Sequence, residues 1–506
     1  MINRLSNRSS SGICGFLARL TLLGVISFPV SPRLSAQATT PVTWDPTYRS
    51  AGNRPGGASF GELIQEGPSG GIWQRSNLLG DMDGFRPELG LYGISFSLDE
   101  TSEVLGNLTG GFQQGADYDG LATLDVQLDT QRAFGWRGGL LNVSALDVHG
   151  DNLSARNLGT LQTASGIEAD RSDRLWELWY QQSFFNSQAD IKVGQQSLDQ
   201  EFIDSQYAGL FVNTMFGWPM LPSADLLSGG PAYPLSSFGI RFRAQPTGPW
   251  TYMAGVFDDN PSGLASGSPG DSQVLDNHGT NFRLNDHPLY IAEIQFSRPA
   301  LGSMEYADGS GALPGTYRLG FWYDAGSYAD QEFGADGLSL ANPLSIGRPL
   351  LHTGDYSLYA VADQLLWREN PESEEGLGVF FRAMGAPADR NLIDSSMNAG
   401  FTYREPFEHR EDDVVGIGMG YAAISSRAAA LDRDTNTFGG TNGPVRSGET
   451  FVELTYQYQI VPWWTVQPDV QYVLRPGAGI ADPSDPSGTR LVGNEWVVGL
   501  RTNIAF

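Results

Sequence analysis

One pattern constrains this chain more than any other. Segments of about ten residues alternate apolar and polar side chains, and they recur from about residue 91 to Phe506. A period of two belongs to β-strands, whose successive side chains point to opposite faces. Leu124, Val126 and Leu128 interleave with Thr123, Asp125, Gln127 and Asp129. Trp176, Leu178 and Tyr180 interleave with Glu177 and Gln181, and Ile191 and Val193 flank Lys192. Phe238, Ile240 and Phe242 flank Arg241 and Arg243. Tyr290, Ala292, Ile294 and Phe296 interleave with Glu293 and Gln295. Tyr317, Leu319, Phe321 and Tyr323 do so with Arg318, Trp322 and Asp324. Later segments at 397–404, 452–458 and 496–506 repeat the pattern.

Alternation of this kind builds either a soluble sandwich, with its apolar faces turned to a core, or an outer-membrane barrel, with its apolar face turned to lipid. Charges at mid-strand, strands ending in Tyr, Trp or Phe, and an aromatic residue closing the last strand all favour the barrel. About sixteen strands are expected, starting near 93, 121, 139, 174, 188, 238, 249, 288, 315, 356, 376, 396, 413, 449, 464 and 494. The fold class is therefore all-β: an antiparallel outer-membrane barrel wide enough for an aqueous channel.

The start of the chain reads differently. Arg4, Arg8 and Arg19 precede the apolar run 20–30, and Ala36-Gln37-Ala38 offers a small-x-small cleavage site. Residues 1–38 are expected to be a removed export signal. They contain Cys14, the only cysteine, so no disulfide or thiolate metal site is expected. They also hold four of the 31 basic residues and none of the 57 acids, so removal takes the charge from −26 to 27 minus 57, or −30. That acidic balance argues against nucleic-acid binding. Residues 39–90 form a Gly-, Pro- and Ser-rich lead-in with a short helix capped near Asp83, and residues 91–506 form the barrel.

Long connections are expected at about 150–172, 200–237, 258–287 and 325–354. The second holds Tyr207, Leu210, Phe211, Phe216, Trp218 and Met220. Such a loop solvates poorly outside, so it should fold into the barrel as a constriction.

The chemistry-bearing residues fall on the inward parity. Arg132, Lys192, Arg241, Arg243, Arg318 and Arg382 can face the lumen with Glu177, Glu293, Asp324 and Asp363. Facing charges set a transverse field and fix a pore's width. Trp179 and Trp322 share that parity, and an aromatic face beside charged groups suits a sugar. The expected channel residues are Glu177, Trp179, Lys192, Gln196, Trp218, Arg241, Arg243, Glu293, Arg318 and Arg382. Individually, each could equally be a brace in the wall. The five histidines lack metal-ligand spacing, and His149 near Asp151 and Ser154 is the nearest approach to a hydrolytic set. Polarity at the start of a loop accounts for that trio equally well. No enzyme and no cofactor is expected.

Leu78-Leu79-Gly80-Asp81, Gly150-Asp151-Asn152-Leu153-Ser154, Leu175 to Gln182, Tyr207 to Asn213, Phe216-Gly217-Trp218-Pro219, Tyr359 to Gln364 and Gln467 to Tyr472 together carry a resemblance. They are similar to the carbohydrate-selective porins of the OprB type. One departure is Met82-Asp83, where that family usually reads Trp-Gly. The resemblance implies a 16-stranded porin passing sugars such as glucose by diffusion. The alternatives are a general or cation-preferring pore and a barrel-embedded hydrolase. Expected partners are small sugars, outer-membrane lipid and lipopolysaccharide, and the barrel-assembly machinery acting through the strand ending in Phe506. Assembly as a monomer or a homotrimer stays open.

Overall fold

The computed structural model describes residues 71–246, 248–264, 270–298, 313–368 and 376–506. The expected export signal and the lead-in as far as residue 70 lie outside the described residues. Sixteen strands form one closed barrel in which each pairs with its sequence neighbours. They are β1 (Ile94–Thr109), β2 (Gly115–Asp129), β3 (Gly139–Gly150), β4 (Ser172–Phe184), β5 (Ala189–Gln196), β6 (Ser237–Ala244), β7 (Trp250–Asp258) and β8 (Pro288–Arg298). They continue as β9 (Gly315–Gly334), β10 (Pro349–Trp367), β11 (Gly376–Gly385), β12 (Ile393–Arg404), β13 (Val414–Ile424), β14 (Gly448–Val461), β15 (Trp464–Leu474) and β16 (Glu495–Ala505). All pairs are antiparallel, and β1 closes on β16 from Asp99↔Ala505 to Thr109↔Trp496. Closure leaves no unpaired edge, the condition for crossing hydrocarbon with strands.

The alternation points as expected. Phe242, Tyr290, Leu319, Phe401, Leu454 and Leu500 are exposed on the outer face, where they meet lipid. Their neighbours Arg241, Glu293, Trp322, Thr402, Glu453 and Arg501 are buried inside. Aromatic pairs mark the strand ends. Trp250–Phe296 (4.8 Å between ring centroids) lies toward the short turns and Tyr472–Trp496 (4.6 Å) toward the long loops.

Five expectations need correction. Arg132 lies not on a strand but in helix α2 (Thr130–Phe134), a solvent-facing turn capped by Asp129, whose carboxylate accepts from the Gln131 and Arg132 amides. Trp176 turns inward against Tyr233, because a bulge opposite Ser144/Ala145 shifts the parity at that point. The 325–354 connection shrinks to 335–348, since β9 and β10 keep pairing beyond the apolar belt. Above lipid nothing selects for apolar residues, so pairing continues where the sequence periodicity has stopped. Two long connections also went unanticipated, 425–447 with helix α3 (Ser426–Gly439) and 475–494.

The lead-in contains helix α1 (Phe85–Leu91). Its cap is Gly84 in the left-handed region rather than Asp83, and no side chain caps it. The segment straps the seam of the barrel. Leu78 N donates to Ala505 O (2.8 Å), Arg86 donates to Phe96 O (3.0 Å) and to Phe506 O, and Trp463 Nε1 donates to Ile72 O (2.7 Å). Among the described residues no helix is long and apolar enough to cross a membrane.

Candidate functional site: the inward loop and its clamps

β5 and β6 are the shortest strands, with eight residues each, and the chain between them enters the barrel. Leu198, Phe202, Ile203, Phe211, Phe216, Trp218 and Leu221 of this loop are buried in one core with Met253, Phe257, Ile291, Tyr359, Phe380 and Phe451 of the wall. The apolar composition of the loop is therefore matched by apolar inward residues on β7–β14. The inward loop was expected, but the apolar half of the wall was not.

Glycines make the close approach possible. A Cβ on Gly416 would stand 2.6 Å from Leu210 and 2.9 Å from Phe211. One on Gly418 would stand 2.6 Å from Phe216, and one on Gly378 would stand 2.3 Å from the Tyr207 ring. The inner faces of β11 and β13 thus form a smooth lane on which the aromatic loop lies. The Gly-rich stretch 416–420 is this lane and not a phosphate loop.

The charged residues hold the loop in place. Glu201 of the loop pairs with Lys192, and also with Arg241 (2.5 Å). Arg241 also meets Asp190, which takes Arg243 at 2.8 Å. Burial raises the Glu201 carboxyl, but Arg241 and Lys192 outweigh it and hold the pKa down at about 2. Lys192 lies over the Trp179 ring, 4.6 Å from its centroid. A second knot forms around Arg318, which reaches Asp363 (3.0 Å), Asp204 (3.5 Å) and Glu293 (3.8 Å). Asp363 accepts from Ser205 Oγ (2.6 Å) and Gln206 N (3.3 Å), and Glu293 from Ile203 N (3.2 Å). Burial raises the Asp204 carboxyl to about 6 against the pull of Arg318, and Asp363 and Glu293 add to the rise. Arg382, wholly buried, donates to the carbonyls of Ile203 (2.9 Å), Gly217 (2.9 Å) and Met215.

The remaining expected polar side chains bond main-chain groups. Glu177 accepts from Ser197 N (3.0 Å) where the loop leaves β5. Gln196 donates to Gly239 O (3.1 Å), and Trp218 Nε1 donates to Gly229 O (3.0 Å). Trp179 is 9% exposed and Trp322 1%, so neither offers a ring face to a passing sugar. The structure thus brings Lys192, Arg241 and Arg243 into one knot and Glu293 and Arg318 into another. It leaves Gln196 and Trp218 apart from both.

Sequence reasoning missed a second inward loop, 151–171. Leu161 N and Gln162 N donate to Glu449 (2.9 and 2.7 Å), and Arg501 reaches Ser165 Oγ (3.1 Å). The two loops bond each other through Gly166 N to Val212 O (2.8 Å) and Thr214 N to Thr163 O (3.2 Å). Its only signal was Leu153, Leu158 and Ala164, buried with Leu105, Val212 and Val497. The hydrolytic trio is not assembled. His149 faces outward between Glu100 and Asp147, both 3.5 Å away, whereas Ser154 bonds Glu168 and Asp151 pairs with Arg156 and Arg171.

The wall of β1–β3 mixes inward acids with the buried apolar residues Leu105, Leu146 and Val148. β1–β3 carry no lysine or arginine, and Asp99, Glu103, Asp117, Asp119 and Asp125 share the inward parity of β1 and β2. Glu103, directly opposite Asp119, is met by Arg501 at 2.9 Å.

Known proteins agree with this architecture. Porin B of Pseudomonas aeruginosa is 25% identical over 448 residues, covering 85% of this chain and 91% of that protein. A protein named putative porin QuiX, from Acinetobacter baylyi, is 24% identical over 452 residues, covering 85% and 93%. The high-pH structure of Pseudomonas putida OprB superposes with a TM-score of 0.73 at 23% identity, over 86% of this chain and 100% of that one. The profile of the carbohydrate-selective porin, OprB family, matches residues 113–506. The chain is a member of that family of carbohydrate-selective porins.

Proposed function

We propose that this outer-membrane porin lets small, glucose-like sugars diffuse into the periplasm past a constriction made by the two inward loops. The observation that carries the reading is the division of the lumen. An apolar loop is clamped against β7–β14, whereas the inward parity of β1 and β2 carries Asp99, Glu103, Asp117, Asp119 and Asp125. A neutral, hydroxyl-rich solute fits a passage with one wall for hydrogen bonds and one rim for apolar contact. Glu177, Lys192, Arg241, Glu293, Arg318 and Arg382 bond the loop that narrows this passage, and Trp179, Gln196, Trp218 and Arg243 complete the proposed channel set around it. No step is coupled to an energy source, so flux follows the sugar gradient. The barrel stands in the outer membrane of a Gram-negative bacterium, reached by way of a cleaved export signal and the assembly machinery that reads its last strand.

Liposome swelling with monosaccharides against salts of similar size tests the reading. Faster entry of the sugars is expected, and equal entry would favour a general pore. The acids of β1 and β2, of which Glu103 pairs with Arg501 and Asp117 with Arg156, favour a second property of the same pore. Field lines from these acids, focused between low-dielectric walls, favour cations over anions, so a zero-current potential of cation-selective sign is expected in a salt gradient.

A further inference from the structure

A loop on the long-loop side of a barrel ordinarily meets water. Residues 270–287, between β7 and β8, are poorly suited to it. Val274, Leu275, Phe282 and Leu284 are each at least half exposed. Large apolar side chains grouped on an exposed segment mark a surface that meets lipid or a partner. We propose that this segment lies against the lipid-facing wall, where Phe282 and the outer faces of β3–β6 hold an acyl chain of a lipopolysaccharide molecule.

The shortness of β5 makes room for the segment. β4 pairs with β5 only from Leu178↔Gln195 to Phe184↔Ala189, and β5 ends at Gln196. Past that point the β7–β8 segment takes the place of a strand. Leu175 N donates to His278 O (3.0 Å), and Gln195 Nε2 donates to Gly279 O (2.9 Å). Glycine is required at 279, because a Cβ there would stand 1.8 Å from Leu175 O. Arg174 ties the same segment to the inward loop, donating to Gln273 O (3.2 Å) and Pro234 O (3.0 Å). The chain is thus moored to β4 shortly before Phe282.

Phe282 closes a groove of about 400 Å³ with Leu141 of β3, Leu178 and Tyr180 of β4, Val193 of β5 and Phe238 of β6. The strand neighbours Asn142, Trp179, Lys192 and Ser237 are buried inside, so the groove residues of the wall have the outward parity. Its floor is therefore continuous with the face that meets hydrocarbon. Among these six residues only Tyr180 has a polar side-chain atom, and its hydroxyl donates to Gln182 Oε1 (2.6 Å). Water entering the groove would find no partner there, whereas a methylene chain needs none. Long connections stand on the external side of such barrels, so the leaflet in reach is the outer one, built of lipopolysaccharide.

Photocrosslinking of the full-length porin in outer membranes tests the site. The photoprobe p-benzoylphenylalanine in place of Phe282 should give an adduct that carries lipopolysaccharide. The same probe in place of Phe185, exposed in the short turn between β4 and β5 at the other end of the barrel, should give none. Phe282→Ser should retain less lipopolysaccharide through detergent purification than wild type, and Phe282→Leu, which stays apolar, should retain as much. Heat-modifiable migration on gels shows that each variant has closed its barrel. No lipopolysaccharide adduct at 282, equal yields at 282 and 185, or an adduct to protein alone would overturn the site. Wild-type retention in Phe282→Ser would overturn it too. The groove lies outside the lumen, so none of these outcomes bears on sugar passage.

Discussion

Arg382 shows how a lumenal charge serves this fold. Its guanidinium replaces water for three loop carbonyls and also bonds Asn398 Oδ1 (3.2 and 3.3 Å). Arg382→Ala would orphan these acceptors in a dry site and should cost on the order of 3 kcal/mol. Detergent-phase thermal unfolding would register it as a lower Tm, and bilayer recording as larger, noisier openings. Asp204 supplies a pH signature. Its folded carboxyl, at about 6, lies above the ordinary value of 3.8, so the folded state binds the proton more tightly. This contribution to stability is full below about pH 4 and is lost as pH rises through 6. The Tm difference between wild type and Asp204→Asn should therefore widen from pH 4 to pH 7; a difference constant across that range would contradict the assignment. At this scale the sequence was legible as parity. Lys192, Arg241, Arg318 and Arg382 face inward because they alternate with lipid-facing residues. Their partners were not legible, because Glu201 and Asp204 sit in an aperiodic loop. The inward turn of Trp176 depends on a bulge that leaves no trace in the alternation.

Among the elements, the decisive match is between the loop and the glycine lane. Gly418→Val would drive two methyl groups toward Phe211 and Phe216, where even a Cβ is too close. The pairing of β13 with its neighbours does not involve that space. The barrel should still form, judged by heat-modifiable migration on gels, while the displaced loop raises conductance. Unchanged conductance would mean that the loop does not set the narrow zone. The strand starts were readable to within a few residues for most elements, because the hydrocarbon imposes a strict period of two. The ends of β9 and β10, the inward course of 151–171 and helix α3 were not, since outside the lipid belt the environment no longer sorts residues by face. The apolar character of 200–237 did reveal its inward course.

The described residues form a closed wall whose inner face is apolar along β7–β14 and richest in acids along β1 and β2, strapped at its seam by the segment before β1. Charge at this scale is uneven, and the acids of β1 and β2 should dominate the field in the passage. Asp119→Asn with Asp125→Asn should move the zero-current potential toward zero without lowering sugar-driven swelling; an unmoved potential would assign cation preference elsewhere. The closing test concerns orientation itself. Cys14 is the only cysteine and lies within the expected export signal, so single cysteines can be read without background. Thr123→Cys and Leu124→Cys are adjacent on β2, the first on the inward parity and the second on the outward. In membranes, a water-soluble maleimide should label Cys at 123 and spare Cys at 124. Labelling of 124 with protection of 123 would contradict a wet interior enclosed by a lipid-facing wall.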